Sequence, residues 1–135
     1  MPTLESLHEV YFGAAYLHSQ LSKANRLKVG ACIVTASGAI IPGYNGTPAG
    51  TDNNCEDSGT TKPEVLHAEL NAILKCAREG ISCFNATMYI THAPCLQCSA
   101  MILQLGFRNV FYKEDYRDLS GVTYLNKYGV PTVKI

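Results

Sequence analysis

The sequence predicts an α/β domain in three layers, with helices on both faces of a mixed five-stranded sheet. Apolar residues recur at helical spacing over residues 4–22, and after residue 63 short β-prone runs alternate with helical segments. A hairpin precedes that alternation, so we expect a mostly parallel sheet with one antiparallel part. The 135 residues suffice for one core, and we expect a single domain over residues 1–135.

The first half of the chain predicts a helix, a hairpin and a loop. The helix is expected over residues 4–22. The run KVGACIVTA (28–36) is β-prone, and Ser37-Gly38 turns it into AIIPGYN (39–45). Residues 46–64 are rich in Gly, Pro, Asn and Asp and predict one long loop. Compact domains rarely keep a structureless loop of that length unless it is functional.

The second half alternates helices and strands. A helix is expected to begin at Pro63-Glu64, to run to about Arg78 and to stop at Gly80. The elements expected after it are the strand ATMYIT (86–91), the helix CLQCSAMILQLG (95–106), the strand NVFYK (109–113), a helix over 117–128 and a terminal strand VPTVKI.

Composition and charge exclude several classes of function. Apolar residues make up 47% of the chain, and 11 Lys and Arg balance 11 Asp and Glu. A neutral chain lacks the positive field with which nucleic-acid binders collect phosphates, so we expect a small ligand and no stable nucleic-acid partner. No apolar run approaches the roughly 18 residues of a membrane span, and MPTLESLHEV lacks the pattern of a signal peptide. We therefore expect no membrane partner and a cytoplasmic location.

The pattern that indicates chemistry is His67 with Glu69, followed by Cys95 and Cys98 after a proline. Two thiolates at C-x-x-C spacing at a helix start can bind one ion, and a histidine from a second helix start would give three ligands. The fourth tetrahedral position is then left for water, as in a catalytic zinc site. Glu69 would be a carboxylate close to that water, able to accept its proton and return it to a leaving group. H-x-E…P-C-x-x-C is the signature of zinc deaminases.

Other interpretations of the cysteines remain open. Cys95 and Cys98 could form a thioredoxin-like redox pair, or a structural zinc site with Cys55, Cys83 or His92 as fourth ligand. Cys55 could also bind a second metal ion. A redox module would hold no tight stoichiometric zinc and would turn over disulfides, which separates it from a deaminase. Cys32 and Cys76 are expected to be small buried hydrophobic residues.

The segments VGACIV, GYNGTPAG, NNCED, HAELNAI and APCLQC, in that order, resemble the deoxycytidylate deaminases of the cytidine deaminase superfamily. The resemblance extends over about residues 10–130. It implies the α-β-α cytidine deaminase-like fold and zinc-dependent hydrolysis of dCMP to dUMP with release of ammonia. Another cytosine nucleotide or RNA is the alternative substrate. His92 departs from the family, because relatives usually carry an apolar residue there.

The resemblance also implies roles for residues outside the metal pattern. Asn45, Ala68 and Tyr116 would contact the substrate. The basic residues that could bind its phosphate are Lys23, Arg26, Lys28, Lys113 and Arg117, and their order in the chain does not choose among them.

Regulation is implied as well. The family is activated by dCTP, with Mg²⁺ accompanying the triphosphate, and inhibited by dTTP, and its members are usually hexamers. Gly43, Tyr44 and Gly46 would build an effector site separate from the zinc. Arg26 would bind the triphosphate, because a guanidinium binds phosphate oxygens in pairs. A plain hairpin end with a solvated arginine is the alternative.

Overall fold

The computed structural model describes all 135 residues, with four helices and seven strands. In chain order the elements are α1 (Leu4–Ser19), β1 (Gly30–Val34), β2 (Ile40–Tyr44), β3 (Glu56–Asp57), β4 (Thr60–Thr61), α2 (Ala68–Glu79), β5 (Thr87–His92), α3 (Leu96–Gln104), β6 (Asn109–Glu114), α4 (Ser120–Lys127) and β7 (Thr132–Lys134). None of the four helices combines the length and the apolar composition that crossing a membrane requires.

Five of the strands form one mixed sheet in the order β2-β1-β5-β6-β7. The β1 strand runs antiparallel to both of its neighbours, β2 and β5. The β6 strand runs parallel to both of its neighbours, β5 and β7. The prediction of a mixed five-stranded sheet is confirmed. The expectation of a mostly parallel sheet is wrong, because β5 pairs with β1 in the opposite direction and half of the pairings are antiparallel.

The sheet is covered on both faces, which confirms the three-layer arrangement. On one face Phe12 and Ala15 of α1 pack against Cys32 of β1 and Tyr89 of β5. On the other face α2, α3 and α4 share a larger core with the residues that alternate with these along the strands. The fully buried side chains of that core include Ile33, Met88, Ile90, Ile102, Val110 and Leu125.

Two boundaries in the first half differ from the predictions. The α1 helix ends at Ser19 and not at residue 22. The chain turns there, and the Ser22 hydroxyl donates a hydrogen bond to the Asn45 carbonyl at 2.7 Å. The segment 46–64 is not one structureless loop, because β3 and β4 form a short hairpin within it. Ser58 and Gly59 at its tip both have positive φ, which suits a two-residue turn between antiparallel strands.

The α2 helix begins at Ala68, not at Pro63-Glu64 as predicted. Leu66 and Gly46 exchange two backbone hydrogen bonds of 2.8 and 3.1 Å, which keep the chain extended up to that point. His67 is therefore the N-cap residue of the helix, with extended backbone angles, and does not belong to the first turn.

The β2 strand forms one edge of the sheet, and α2 covers its outward-facing carbonyl groups. The Asn71 side-chain amide donates to the Tyr44 carbonyl at 2.7 Å. One helical turn later, the Lys75 ammonium donates to the Pro42 carbonyl at 2.6 Å. Pro42 itself has no N–H group. Gly43, between these two residues, lies against α2, because a Cβ there would be 2.5 Å from the Ala68 carbonyl oxygen.

Candidate metal centre and active-site cavity

The three predicted metal ligands lie together at two helix starts. His67 and Cys95 are the N-cap residues of α2 and α3, and both have extended backbone angles. The first turn of α3 then brings Cys98 back beside Cys95, whose sulfur accepts the Cys98 backbone N–H at 3.4 Å. His67 Nδ1 lies 3.5 Å from Cys95 Sγ and 3.4 Å from Cys98 Sγ. All three donor atoms lie within 4.8 Å of one another.

The three residues of this group differ in how tightly they bind a proton. The Cys98 thiol donates to the Cys95 sulfur, and this contact, together with the one to His67, lowers the pKa of Cys95 to about 4. The same contact raises the pKa of Cys98, which keeps its proton. The contact with Cys95 also raises the pKa of His67. One imidazole nitrogen and two sulfurs at this separation are the donors that zinc prefers, so the residues fit a zinc ion.

Glu69 lies beside the ligands but is not one of the three grouped donors. Its side chain is 4% exposed, and burial raises its pKa to about 7. A carboxyl group with that pKa reaches both of its protonation states near neutral pH, as a group that accepts and returns a proton requires. Because His67 lies at the extended cap and not within the helix, the two-residue spacing allows both side chains to line one cavity.

The cavity has a volume of about 340 Å³. Its lining includes the metal-side residues His67, Ala68, Glu69 and Cys95, and also Asn45, His92, Tyr116, Arg26 and Arg117. The three predicted substrate contacts, Asn45, Ala68 and Tyr116, are thus brought together. Among the five basic candidates only Arg26 and Arg117 line the cavity. Lys113 lies elsewhere, with its ammonium 4.8 Å from the centroid of the Phe12 ring beneath α1.

Asn45 holds one wall of the cavity in place. Its Oδ1 accepts the Val29 N–H at 2.9 Å, and its Nδ2 donates to the Leu27 carbonyl at 2.8 Å. An Asn amide has two N–H donors, and these contacts use one of them. A second N–H therefore stays available for a ligand in the cavity.

The residues predicted to form an effector site are not grouped in the same way. Gly43 is buried against α2, and Gly46 pairs with Leu66. Tyr44 is half-buried at the edge of the sheet. Arg26 is exposed and lines the same cavity as His67.

The alternative metal ligands lie outside the three-donor group. Cys55 is buried and its thiol donates to the Asn53 carbonyl at 3.7 Å. Cys83 is buried in the main core together with Cys76. His92 lines the cavity with its Nδ1 2.8 Å from the Thr91 hydroxyl, and burial lowers its pKa.

Sequence reasoning missed two polar residues in the cavity wall, Glu56 and Thr61. The Glu56 carboxylate accepts hydrogen bonds from the backbone N–H groups of Asn25 and Arg26. The Thr61 hydroxyl accepts a hydrogen bond from the Arg26 guanidinium. The available signal was Glu56 itself, one of several acidic residues in a loop rich in Gly, Pro, Asn and Asp. That signal does not indicate a partner.

Comparison with known proteins identifies the relatives of this chain. The family described as cytidine and deoxycytidylate deaminase zinc-binding region matches residues 5–114. The chain is 38% identical over 117 residues to ComE operon protein 2 of Bacillus subtilis, an alignment of 83% of this chain and 61% of that protein. It is 35% identical over 125 residues to human deoxycytidylate deaminase, covering 85% of this chain and 69% of that one. It therefore spans less than two thirds of the Bacillus relative.

A solved structure covers the whole chain. The crystal structure of dCMP deaminase from the cyanophage S-TIM5, in complex with dCMP and dUMP, superposes with a TM-score of 0.93. Sequence identity over that superposition is 41%, and 100% of both chains is covered.

Proposed function

Because the chain belongs to the cytidine and deoxycytidylate deaminase family, we propose that it deaminates dCMP to dUMP by hydrolysis, with release of ammonia. The observation that best supports this proposal is the His67, Cys95 and Cys98 donor group, which shares one cavity with a buried Glu69. The resemblance to a phage dCMP deaminase over the full chain supports the choice of substrate.

The metal ion and Glu69 would have different roles in the reaction. Zinc held by His67, Cys95 and Cys98 would acidify a water molecule and so supply the nucleophile for C4 of cytosine. The Glu69 carboxylate accepts the proton of the attacking water. It donates this proton to the ring nitrogen, then accepts the second proton of the added oxygen and donates it to the amino group, which leaves as ammonia. Its burial excludes competing solvent from the path of that proton.

The two cavity arginines are proposed to bind the phosphate of dCMP. Arg26 and Arg117 are the basic candidates that line the cavity, and a guanidinium pairs well with phosphate oxygens. The Arg117 guanidinium lies 5.8 Å from the centroid of the Tyr116 ring, which also lines the cavity. Two guanidinium groups in one cavity favour the binding of a nucleotide over that of a nucleoside.

The test is turnover of purified zinc-loaded protein on dCMP, dCTP, deoxycytidine and CMP side by side, with ammonia release as the readout. We expect the highest kcat/KM for dCMP and a much higher KM for deoxycytidine, which has no phosphate. A zinc-loaded protein that turns over none of the four, or that reduces disulfides instead, would contradict the proposal.

We also propose regulation by dCTP with Mg²⁺ as activator and dTTP as inhibitor, in a homo-oligomer expected to be a hexamer. Gly43, Tyr44 and Gly46 are the candidates for the effector contact. Arg26, in the substrate cavity, would connect the two ligands and not serve the effector alone. Sigmoidal dCMP saturation that becomes hyperbolic with dCTP would support this proposal. Hyperbolic saturation unchanged by dCTP or dTTP, or a monomer in sedimentation, would contradict it.

A cytoplasmic location and a single domain over residues 1–135 belong to the same proposal. All six cysteines are free thiols, as a reducing compartment favours. One sheet joins the first strand to the last, and one main core runs from Ala31 to Val130.

A further inference from the structure

Glu56 is a buried carboxylate without a cationic partner. It is 9% exposed, and the single ion pair of the structure joins Lys134 to Asp115. Its oxygens instead accept the Asn25 backbone N–H at 3.0 and 3.2 Å and the Arg26 backbone N–H at 3.3 Å. Hydrogen bonds to an ionised acceptor are stronger than neutral ones. Glu56 thereby fixes the main chain at Arg26.

The side chain of Arg26 is held by the residue opposite Glu56 in the β3–β4 hairpin. Glu56 and Thr61 are directly paired across the two strands. Nη1 of Arg26 donates to the Thr61 hydroxyl at 3.4 Å. One cross-strand pair therefore contacts both the main chain and the guanidinium of Arg26. All three residues line the cavity that contains His67.

We infer that Glu56 and Thr61 are positioning residues, which orient Arg26 toward the phosphate of the bound nucleotide. The β3–β4 hairpin would then contribute, through Arg26, to the distinction between nucleotides and nucleosides. This inference rests on the proposed function, in which Arg26 contacts that phosphate.

Because Glu56 is charged, one substitution can distinguish two roles for it. Glu56 could orient Arg26, or it could act on the ligand directly through its charge. Glu56 lies in the wall of the cavity, so its negative charge opposes an anionic ligand. If Glu56 acted only through its charge, Glu56→Gln would tighten the binding of a nucleotide. If it acts by orienting Arg26, the same substitution weakens that binding.

The measurement is calorimetric binding of dUMP and of deoxyuridine to the zinc-loaded protein, which requires no turnover. We expect Glu56→Gln to weaken dUMP binding about tenfold and to leave deoxyuridine binding unchanged. The glutamine amide places its own N–H groups opposite the backbone N–H groups of Asn25 and Arg26, from which the carboxylate accepts hydrogen bonds. Thr61→Val removes only the contact with the guanidinium, so it should weaken dUMP binding about twofold to threefold.

Asp57→Asn is the matched control. Asp57 is the exposed neighbour of Glu56 on the same strand, and its substitution removes the same charge from the same hairpin. This variant should bind dUMP and deoxyuridine as the wild type does. Zinc content and melting temperature, measured for every variant, show whether the metal group and the fold are intact.

A double-mutant cycle tests whether Glu56 acts through Arg26. In an Arg26→Ala background, Glu56→Gln should cause no further loss of dUMP affinity, because the group that it orients is absent. A purely structural role for Glu56 would instead make the two losses additive.

Several results would overturn the inference. They are tighter or unchanged dUMP binding in Glu56→Gln, an equal loss of deoxyuridine binding, or additive losses in the cycle. If Glu56→Gln does not fold, Thr61→Val decides the matter, and wild-type dUMP affinity in that variant overturns the inference. A wild type that binds dUMP and deoxyuridine equally also overturns it. A wild type that prefers dUMP but does not deaminate dCMP overturns the proposed function alone and supports the phosphate contact.

Discussion

The Nδ1 atom of His67 lies 3.4 Å from the Sγ atom of Cys98, although 31 residues separate them in the chain. A metal bound there ties the start of α2 to the start of α3, so part of its binding free energy stabilises the fold. We expect Cys98→Ala to lose stoichiometric zinc and to melt at a lower temperature than the wild type. Cys76→Ala is the control, because Cys76 is a buried core thiol outside the donor group. One equivalent of zinc per chain retained by Cys98→Ala would remove Cys98 from the ligand set.

Glu69→Gln should keep the zinc and the fold but lose nearly all activity. The amide has the shape of the carboxyl group but can neither accept nor return a proton. General acid–base catalysis by one side chain contributes about 10²- to 10⁴-fold, so we expect a loss of kcat in that range. The measurement is steady-state turnover of dCMP together with zinc content and dUMP binding. Turnover within about tenfold of wild type would show that another group moves the proton.

The buried Glu69 also predicts a pH dependence of stability in the zinc-free protein. Its pKa is raised from 4.5 to about 7 in the folded state, so the folded protein binds the proton more tightly. The favourable contribution of the neutral carboxyl is present below pH 4.5 and is lost as pH rises through about 7. Over that window, zinc-free wild type should lose about 3 kcal/mol relative to Glu69→Gln. Denaturant unfolding in chelator at pH 5, 6 and 8 measures the difference, and a constant difference would contradict the shift.

Gly121, in the first turn of α4, lies against the segment that carries Cys95. A Cβ there would overlap the Pro94 carbonyl and lie 2.5 Å from the Ser99 hydroxyl. We expect Gly121→Ala to destabilise the protein by about 1–3 kcal/mol and to weaken zinc binding, because the Cys95 backbone must move. Thermal unfolding and chelator competition measure both effects.

Gly13→Ala is the matched control for this substitution. Gly13 lies within α1, where an added Cβ has no neighbour within 4 Å. Alanine there should stabilise the protein by about 0.5–1 kcal/mol with no change in zinc affinity. Equal behaviour of the two variants would mean that α4 does not constrain the metal segment.

Local signals in the sequence predicted the order of helices, the five main strands and the grouping of His67 with the two cysteines. Hydrophobic periodicity and C-x-x-C spacing are properties of neighbouring residues, and they can be recognised without a fold. The start of α2 could not be predicted in this way. It depends on a backbone bridge between Leu66 and Gly46, which lie 20 positions apart in the sequence. The role of Glu56 likewise depends on backbone N–H groups about 30 residues away.

The covered carbonyl groups of β2 have a consequence for how copies of this chain can associate. The unpaired backbone N–H and C=O groups of an edge strand can form hydrogen bonds with a strand of another molecule. Here Pro42 offers no N–H, and Asn71 and Lys75 already occupy the carbonyls of Tyr44 and Pro42. The opposite edge strand, β7, is only three residues long. Addition of a strand from another molecule to this five-stranded sheet is therefore hindered at β2 and has little backbone to use at β7.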